Sequence, residues 1–200
     1  MSRQLFTIGH SNHTIGKFIG LLQQHGVTVV GDVRSHPYSR YFPQFNKSEL
    51  QKALTNTGIR YLFLGRELGG KANESGCFDL TGKSLSDSLV GTSEFDRGIK
   101  RLLQDCQTDT IALMCAEKDP ITCHRTILVC QHLRNTDLTI EHILGDGELE
   151  SHSHLEERLV EAYGLQQLQE LEARSLSDPP PEADTLPSSQ IRSAKKPKSQ

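Results

Sequence analysis

Apolar residues gather in five short runs, at 5–8, 27–30, 61–64, 111–114 and 138–144, each released into polar or glycine-containing sequence. Runs of this length with little alternation suit strands buried on both faces. Between them the spacing turns helical. Thr14 precedes Ile15, Phe18, Ile19, Leu21 and Leu22, and Asn46 precedes a helix whose last apolar residue is Leu54. Ser93 and Glu94 open another through Leu103, and Asp119 and Pro120 read as N-cap and first helical residue of the next. A closing helix is expected from His154 to about residue 171, with Gly164 as its weak point. Alternating strands and helices predict an α/β fold, a single three-layer domain over residues 1–172 with a mainly parallel sheet of about five strands. Residues 71–91, rich in Gly, Ser and Asp, read as a long loop. From residue 173 the chain is Pro- and Ser-rich with almost no large apolar side chains, so a disordered tail is expected over 173–200.

Composition changes this picture only at its edges. A formal charge of −3 argues against a broad nucleic-acid or acidic-membrane surface, although Lys195, Lys196 and Lys198 give the tail a basic end. No apolar run approaches the roughly 20 residues of a membrane span, so no membrane partner is expected. The first residues lack a signal-peptide apolar stretch. Five cysteines, an odd number in a chain of this size, do not resemble a secreted disulfide framework. The expectation is a cytoplasmic protein with reduced thiols.

The candidate chemistry sits just after the apolar runs. In open α/β sheets ligands bind outside the carboxyl ends of the strands, and His10, Asp32, Arg34, Gly69 and Cys115 all follow a predicted strand. The richest junction is MCAEKDPITCHR, residues 114–125, which holds two thiols, an acid, an imidazole and a guanidinium. With Pro120 as first helical residue, Cys123, His124 and Arg125 fall within or just after the first turn of that helix, where free N–H groups favour anions. Cys123 there is a candidate nucleophile with a lowered pKa, against the alternative of a small packed thiol. Glu117 and Asp32 are candidate acid/base carboxylates and His10 an assisting imidazole. Asp32 serves equally as a cap for local N–H groups. Arg34 and Arg125 form a candidate anion cradle, with Ser11, Ser39, Gly69, Gly70 and His124 as further substrate-binding residues. The alternative pairs either arginine with Asp32 or Glu117 as a structural bridge. Tyr38, Tyr41, Phe42 and Phe45, interleaved with Arg40 and Lys47, suit base stacking or a loop packed over the sheet edge.

TIGHSNHT (7–14), GDVRSHPYSRYFPQFN (31–46), YLFLGRELGG (61–70) and MCAEKDPITCHR (114–125) together resemble the family called domain of unknown function 488, from about Leu5 to Glu148. The resemblance implies an α/β domain with a shared polar pocket and assigns no activity.

The sequence also excludes. There is no Walker P-loop, G-x-G-x-x-G, G-x-S-x-G or H-E-x-x-H. Arg125 lies ten residues after Cys115 and two after Cys123, so neither makes the Cys-x5-Arg loop of cysteine phosphatases. Zinc on Cys115, Cys123 and His124, with His10 as a further ligand, lacks the usual C-x-x-C pairs. Adjacent residues on a helix also point apart. No metal is therefore assigned, and no cofactor is named. Three readings stand. The first is an enzyme acting on a small anionic substrate, such as a nucleotide, nucleoside phosphate or nucleic-acid end. The second is a non-catalytic nucleotide or nucleic-acid binding module, and the third a thiol redox or zinc protein.

Overall fold

A computed structural model describes residues 3–69, 92–161 and 164. The expected loop at 71–91, Gly70 and the expected tail at 173–200 lie outside the described residues. A six-stranded sheet forms the middle layer, in the order β3-β2-β4-β1-β5-β6. Its strands are β1 (Arg3–Gly9), β2 (Val29–Asp32), β3 (Arg60–Phe63), β4 (Ile111–Cys115), β5 (Leu138–Ile143) and β6 (Leu149–Ser151). β1 to β5 run parallel, and β6 returns antiparallel along β5. The sequence reading anticipated about five strands and missed β6. That strand is three residues long, partly charged, and reached through a tight turn in which Gly147 takes φ +101°, so it carries no apolar run.

Helices cover both faces, as continuous apolar strands require. Alternate strand residues separate cleanly. Phe6, Ile8, Val30, Ala112 and Met114 face α1 (Ile15–Gln24) and α2 (Lys47–Thr55) through Phe18, Leu21, Leu22, Leu50 and Leu54. Leu5, Val29, Ile111, Leu113 and Cys115 face the other way, against α3 (Ser93–Asp105), the π-helix Arg125–Cys130 and α4 (Gln131–Leu133). Thr14 and Thr92 cap α1 and α3 with their side chains. Residues 152–161 are helical and follow β6 directly. No helix among the described residues is long and apolar enough to cross a membrane.

The loops after β1, β2 and β4 are drawn together by backbone hydrogen bonds. His10 N donates to Cys115 O and Ser11 N to Ala116 O, while Val33 N donates to Met114 O. Gly9 permits that closeness, since a Cβ there would sit 1.9 Å from the Glu117 carbonyl oxygen. The polar ends of three strands thus share one edge of the sheet.

Candidate functional site

Cys115 ends β4, and the segment that follows corrects one expectation. Asp119 does cap, accepting from Ile121 N at 3.0 Å, and Pro120 opens a turn of 3-10 helix, Pro120–Thr122. No continuous helix runs on from it. Cys123 is extended (φ −93°, ψ 137°), and helical geometry resumes only at His124, leading into the π-helix. A π segment within a helix, here between His124 and α4, is rare and frequently found at functional sites. The interruption matters because neighbouring side chains on a helix diverge. Here Cys123 and His124 both turn back toward Cys115 and Glu117.

The result is a tight cluster. One Glu117 oxygen accepts from the Cys115 thiol at 2.6 Å and from the Cys123 thiol at 3.1 Å. His124 Nδ1 lies 3.5 Å from the Cys115 sulfur and 4.0 Å from that of Cys123. All four donor atoms fall within 4.8 Å of one another. His124 Nε2 donates to the Val33 carbonyl at 3.1 Å, which turns Nδ1 toward the sulfurs. Both thiols are buried and Glu117 is exposed, so the cluster meets solvent on the Glu117 side.

Charges are coupled within it. Cys115 is lowered to about 6, first by the hydrogen bond from Cys123 and then by His124, against the cost of burial. Cys123 is pushed well up by burial and by its neighbour Cys115. Burial works against ionising Glu117 and His124, yet Glu117 is lowered by its thiol donors and His124 raised by Cys115 and Glu117. One proton leaves the thiol pair easily and the second does not.

Arg125 is 1% exposed. Its NH1 donates to the Glu117 carbonyl at 3.0 Å and to the Cys123 sulfur at 3.3 Å, and its Nε to Thr7 Oγ1 at 3.3 Å. Among the described residues it has no carboxylate partner. A buried cation without an anion is costly, and among its acceptors is the Cys123 sulfur.

Asp32 and Arg34 form a separate cluster. Arg34 meets Asp32 through Nε at 2.9 Å and NH2 at 2.7 Å, and NH2 also reaches the Phe45 carbonyl. Tyr61 donates to the same carboxylate at 2.8 Å. Arg34 NH1 lies 3.3 Å from His10 Nε2, and His10 Nδ1 donates to the Ser11 carbonyl. The His10 ring stacks on Phe45 with centroids 4.4 Å apart. Burial first, and Arg34 after it, lower His10 to about 4, so it is neutral at pH 7. These side chains satisfy one another.

Of the other candidates, Ser11 sits in left-handed backbone (φ +45°) at the joined loops. Ser39 accepts from Phe42 N and organises the loop of residues 35–45. In that loop Phe45 is buried, while Tyr38 and Tyr41 are exposed. A Cβ on Gly69 would meet the Gly65 carbonyl at 2.3 Å and Ser35 Oγ at 2.7 Å, so its close approach is to the protein's own loop. Sequence reasoning passed over Tyr61, Thr7, His142 and His152. A signal existed for His142, since it shares the inward parity of Leu138 and Ile140 on β5.

Fold and site together define a three-layer α/β protein with a thiol-rich polar cluster at the carboxyl edge of its parallel strands. The model of the family described as "Domain of unknown function DUF488" matches residues 14–131, and the chain belongs to that family. Comparison with curated proteins gave no match, and comparison with solved structures gave none.

Proposed function

We propose that the protein is a zinc-dependent hydrolytic enzyme in which Cys115, Cys123 and His124 hold the metal and Glu117 manages the proton of its bound water. The observation that carries this is the convergence of four donor atoms within 4.8 Å. Zinc bonds of about 2.0–2.3 Å to nitrogen and sulfur set neighbouring ligands roughly 3.3–3.8 Å apart in a tetrahedron. Of the His124–sulfur distances, 3.5 Å lies inside that range and 4.0 Å just above it. Thiolate with imidazole is a zinc-type donor set. His124, its far nitrogen held by the Val33 carbonyl, has the outer contact that metal-bound histidines characteristically make. Charge supports the same reading, because a divalent cation, two thiolates, Glu117 and Arg125 sum to neutrality.

Glu117 is assigned apart from the ligands on two grounds. It is the exposed member of the four, and its 2.6 Å approach to Cys115 is shorter than a ligand–ligand edge. Catalytic zinc sites keep three protein ligands and an open position, and structural sites close with four. A Cys-x-Glu step followed by a second thiol beyond a proline gives the donor set with which zinc deaminases activate water, the Glu moving protons without binding metal. A small anionic substrate remains the best match, with a different cradle. Arg34 and Arg125 are engaged internally, whereas Lys118 and Lys17 are exposed and lie close enough to His13 to lower its pKa after burial.

Metal analysis of the purified protein tests this. One zinc per chain is expected, lost from Cys115→Ser, Cys123→Ser and His124→Ala, and retained in Glu117→Gln. No metal in the wild type overturns the proposal. Loss of metal from Glu117→Gln overturns its enzymatic part, since Glu117 would then close a structural site. A second reading, a reversible Cys115–Cys123 disulfide, draws on the two thiols sharing one acceptor oxygen. A mass two daltons lower after mild oxidation of the metal-free protein would favour it.

A further inference from the structure

A hydrogen-bonded chain leads away from the cluster through the interior. Arg125 Nε donates to Thr7 Oγ1 on β1 at 3.3 Å, and that hydroxyl lies 2.7 Å from His142 Nδ1 on β5. His142 Nε2 lies 3.1 Å from His152 Nδ1, at the start of the helix after β6. His152 Nε2 then faces Glu156 at 3.8 Å and has no hydrogen-bond partner. Thr7 and His142 are fully buried, and His152 is 7% exposed. Sheet register puts the first two side by side, with Thr7 opposite His142 in the β1–β5 pair.

Burying four polar groups in a row is expensive unless each is satisfied and the arrangement serves something. An apolar row would fill the same space at lower cost. What the row fixes is Arg125. Its guanidinium touches the Cys123 sulfur and the Glu117 carbonyl together, so its orientation sets one thiol against the strand-end loop. Among the described residues Arg125 lacks a carboxylate to hold it, and Thr7 Oγ1 is the acceptor that pins its Nε. A consistent ordering runs outward: the Thr7 hydroxyl donates a hydrogen bond to His142 Nδ1, and His142 donates from Nε2 to His152 Nδ1. Burial lowers His142 to about 3 and also lowers His152, so both stay neutral as this ordering requires.

We infer that Thr7, His142 and His152 stand behind Arg125, the outer-shell donor to the Cys123 sulfur, as positioning residues of the Cys115–Cys123–His124 centre that hold Arg125 in place. The inference rests on the metal-centre reading. Outer-shell partners of metal ligands are worth about 10–100-fold in metal affinity. These positioning residues come from β1, β5 and the helix after β6, whereas the ligands come from β4 and the segment after it.

Thr7→Val removes the hydroxyl at nearly constant volume, and Thr7→Ser restores it. Both are titrated with Co2+ in competition with a chelator, and the thiolate-to-cobalt absorption band is recorded. Thr7→Val is expected to bind Co2+ about 10–100-fold more weakly than wild type, with the band displaced, and Thr7→Ser to stay within a few-fold. A purely structural role for Thr7 would lower the melting temperature of the metal-free protein and leave the band where it is. That result overturns the inference, as does wild-type affinity in Thr7→Val. Should Thr7→Val fail to fold, His152→Gln decides by the same titration, with a several-fold loss expected and no change overturning the inference. A wild type that takes up no Co2+ overturns the metal-centre reading and this inference with it. Wild-type binding alongside an unaffected Thr7→Val overturns this inference alone.

Discussion

Two polar clusters share the carboxyl edge of the sheet and differ in how their groups are satisfied. Around Asp32 every strong donor meets an acceptor. Arg34 grips the carboxylate with two nitrogens, Tyr61 adds a third donor, and His10 lies between Arg34 and the Ser11 carbonyl. Around Cys115 the pattern reverses. Two thiols, a carboxylate and an imidazole nitrogen converge on one another, and the nearest guanidinium has no carboxylate partner among the described residues. Groups that satisfy one another hold a fold together, whereas metal-type donors that converge are the arrangement on which the zinc proposal rests. The strand-end position that both clusters share does not tell them apart. Their partners do.

The comparison would break most visibly at Asp32. Asp32→Ala strands a buried guanidinium and a phenol, and losing one partner of a buried pair costs about 3–5 kcal/mol. Urea unfolding should show that loss, while zinc stoichiometry, measured where the variant is still folded, stays at the wild-type value. A variant that lost metal in the folded state would merge the two clusters into one site.

Acid should act on the self-satisfied groups next. Burial lowers His10 to about 4 and His142 to about 3, both below the unfolded value near 6.5. The unfolded chain therefore takes up protons first. The stability these histidines contribute is whole above about pH 6.5 and falls as the pH drops toward 4, where His10 protonates in the fold; His142 continues to about 3. From pH 7 to 5 the two together should remove about 2–4 kcal/mol. Urea titrations at both values measure it, and His142→Gln should flatten the slope by close to one proton. An unchanged slope would mean that His142 is protonated in the fold.

At the converging cluster the effect is on binding. Cys123→Ser should weaken zinc by about 100-fold or more, equivalent to about 2.7 kcal/mol or more. Chelation should lower the melting temperature of the wild type and leave that of Cys123→Ser unmoved. A wild type indifferent to chelator would put the thiols in the self-satisfied class with Asp32.

How far this contrast was legible in the sequence varied by residue. The parallel α/β plan, and the gathering of His10, Asp32 and Cys115 at one edge, follow from apolar runs that end in polar residues. The family membership was legible in four blocks of sequence. Asp119 and Pro120 gave a true helix-start signal, but it could not reveal that the helix stops at Thr122 and that Cys123 is extended. That single residue reverses the geometric argument against a shared metal, because it lets Cys123 and His124 face the same way. Arg34 and Arg125 looked alike in sequence as arms of an anion cradle, one just after a strand and the other at an expected helix start. Which of them has a carboxylate depends on the fold, since Arg34 folds back on Asp32 and no acid among the described residues reaches Arg125. His142 went unnoticed because a histidine in a strand usually faces water, and its inward parity gains meaning only once Thr7 is its neighbour in the sheet.

The finest probe of the contrast is Tyr61→Phe, which removes one of several donors from Asp32 and leaves the ring in place. A hydrogen bond to a charged acceptor is worth about 1.5–3 kcal/mol when lost. Arg34 still holds both carboxylate oxygens, so the lower end, about 1.5 kcal/mol, is expected from urea unfolding. The Tyr61 hydroxyl is itself held protonated, its pKa raised by burial and by Asp32, so it acts as a donor across the accessible pH range and the loss should be the same at pH 6 and pH 9. A loss that grew toward pH 9 would mean that Tyr61 ionises, and that the Asp32 cluster is less closed than its hydrogen bonds imply. A constant loss would leave solvent-facing chemistry to the cluster around Glu117.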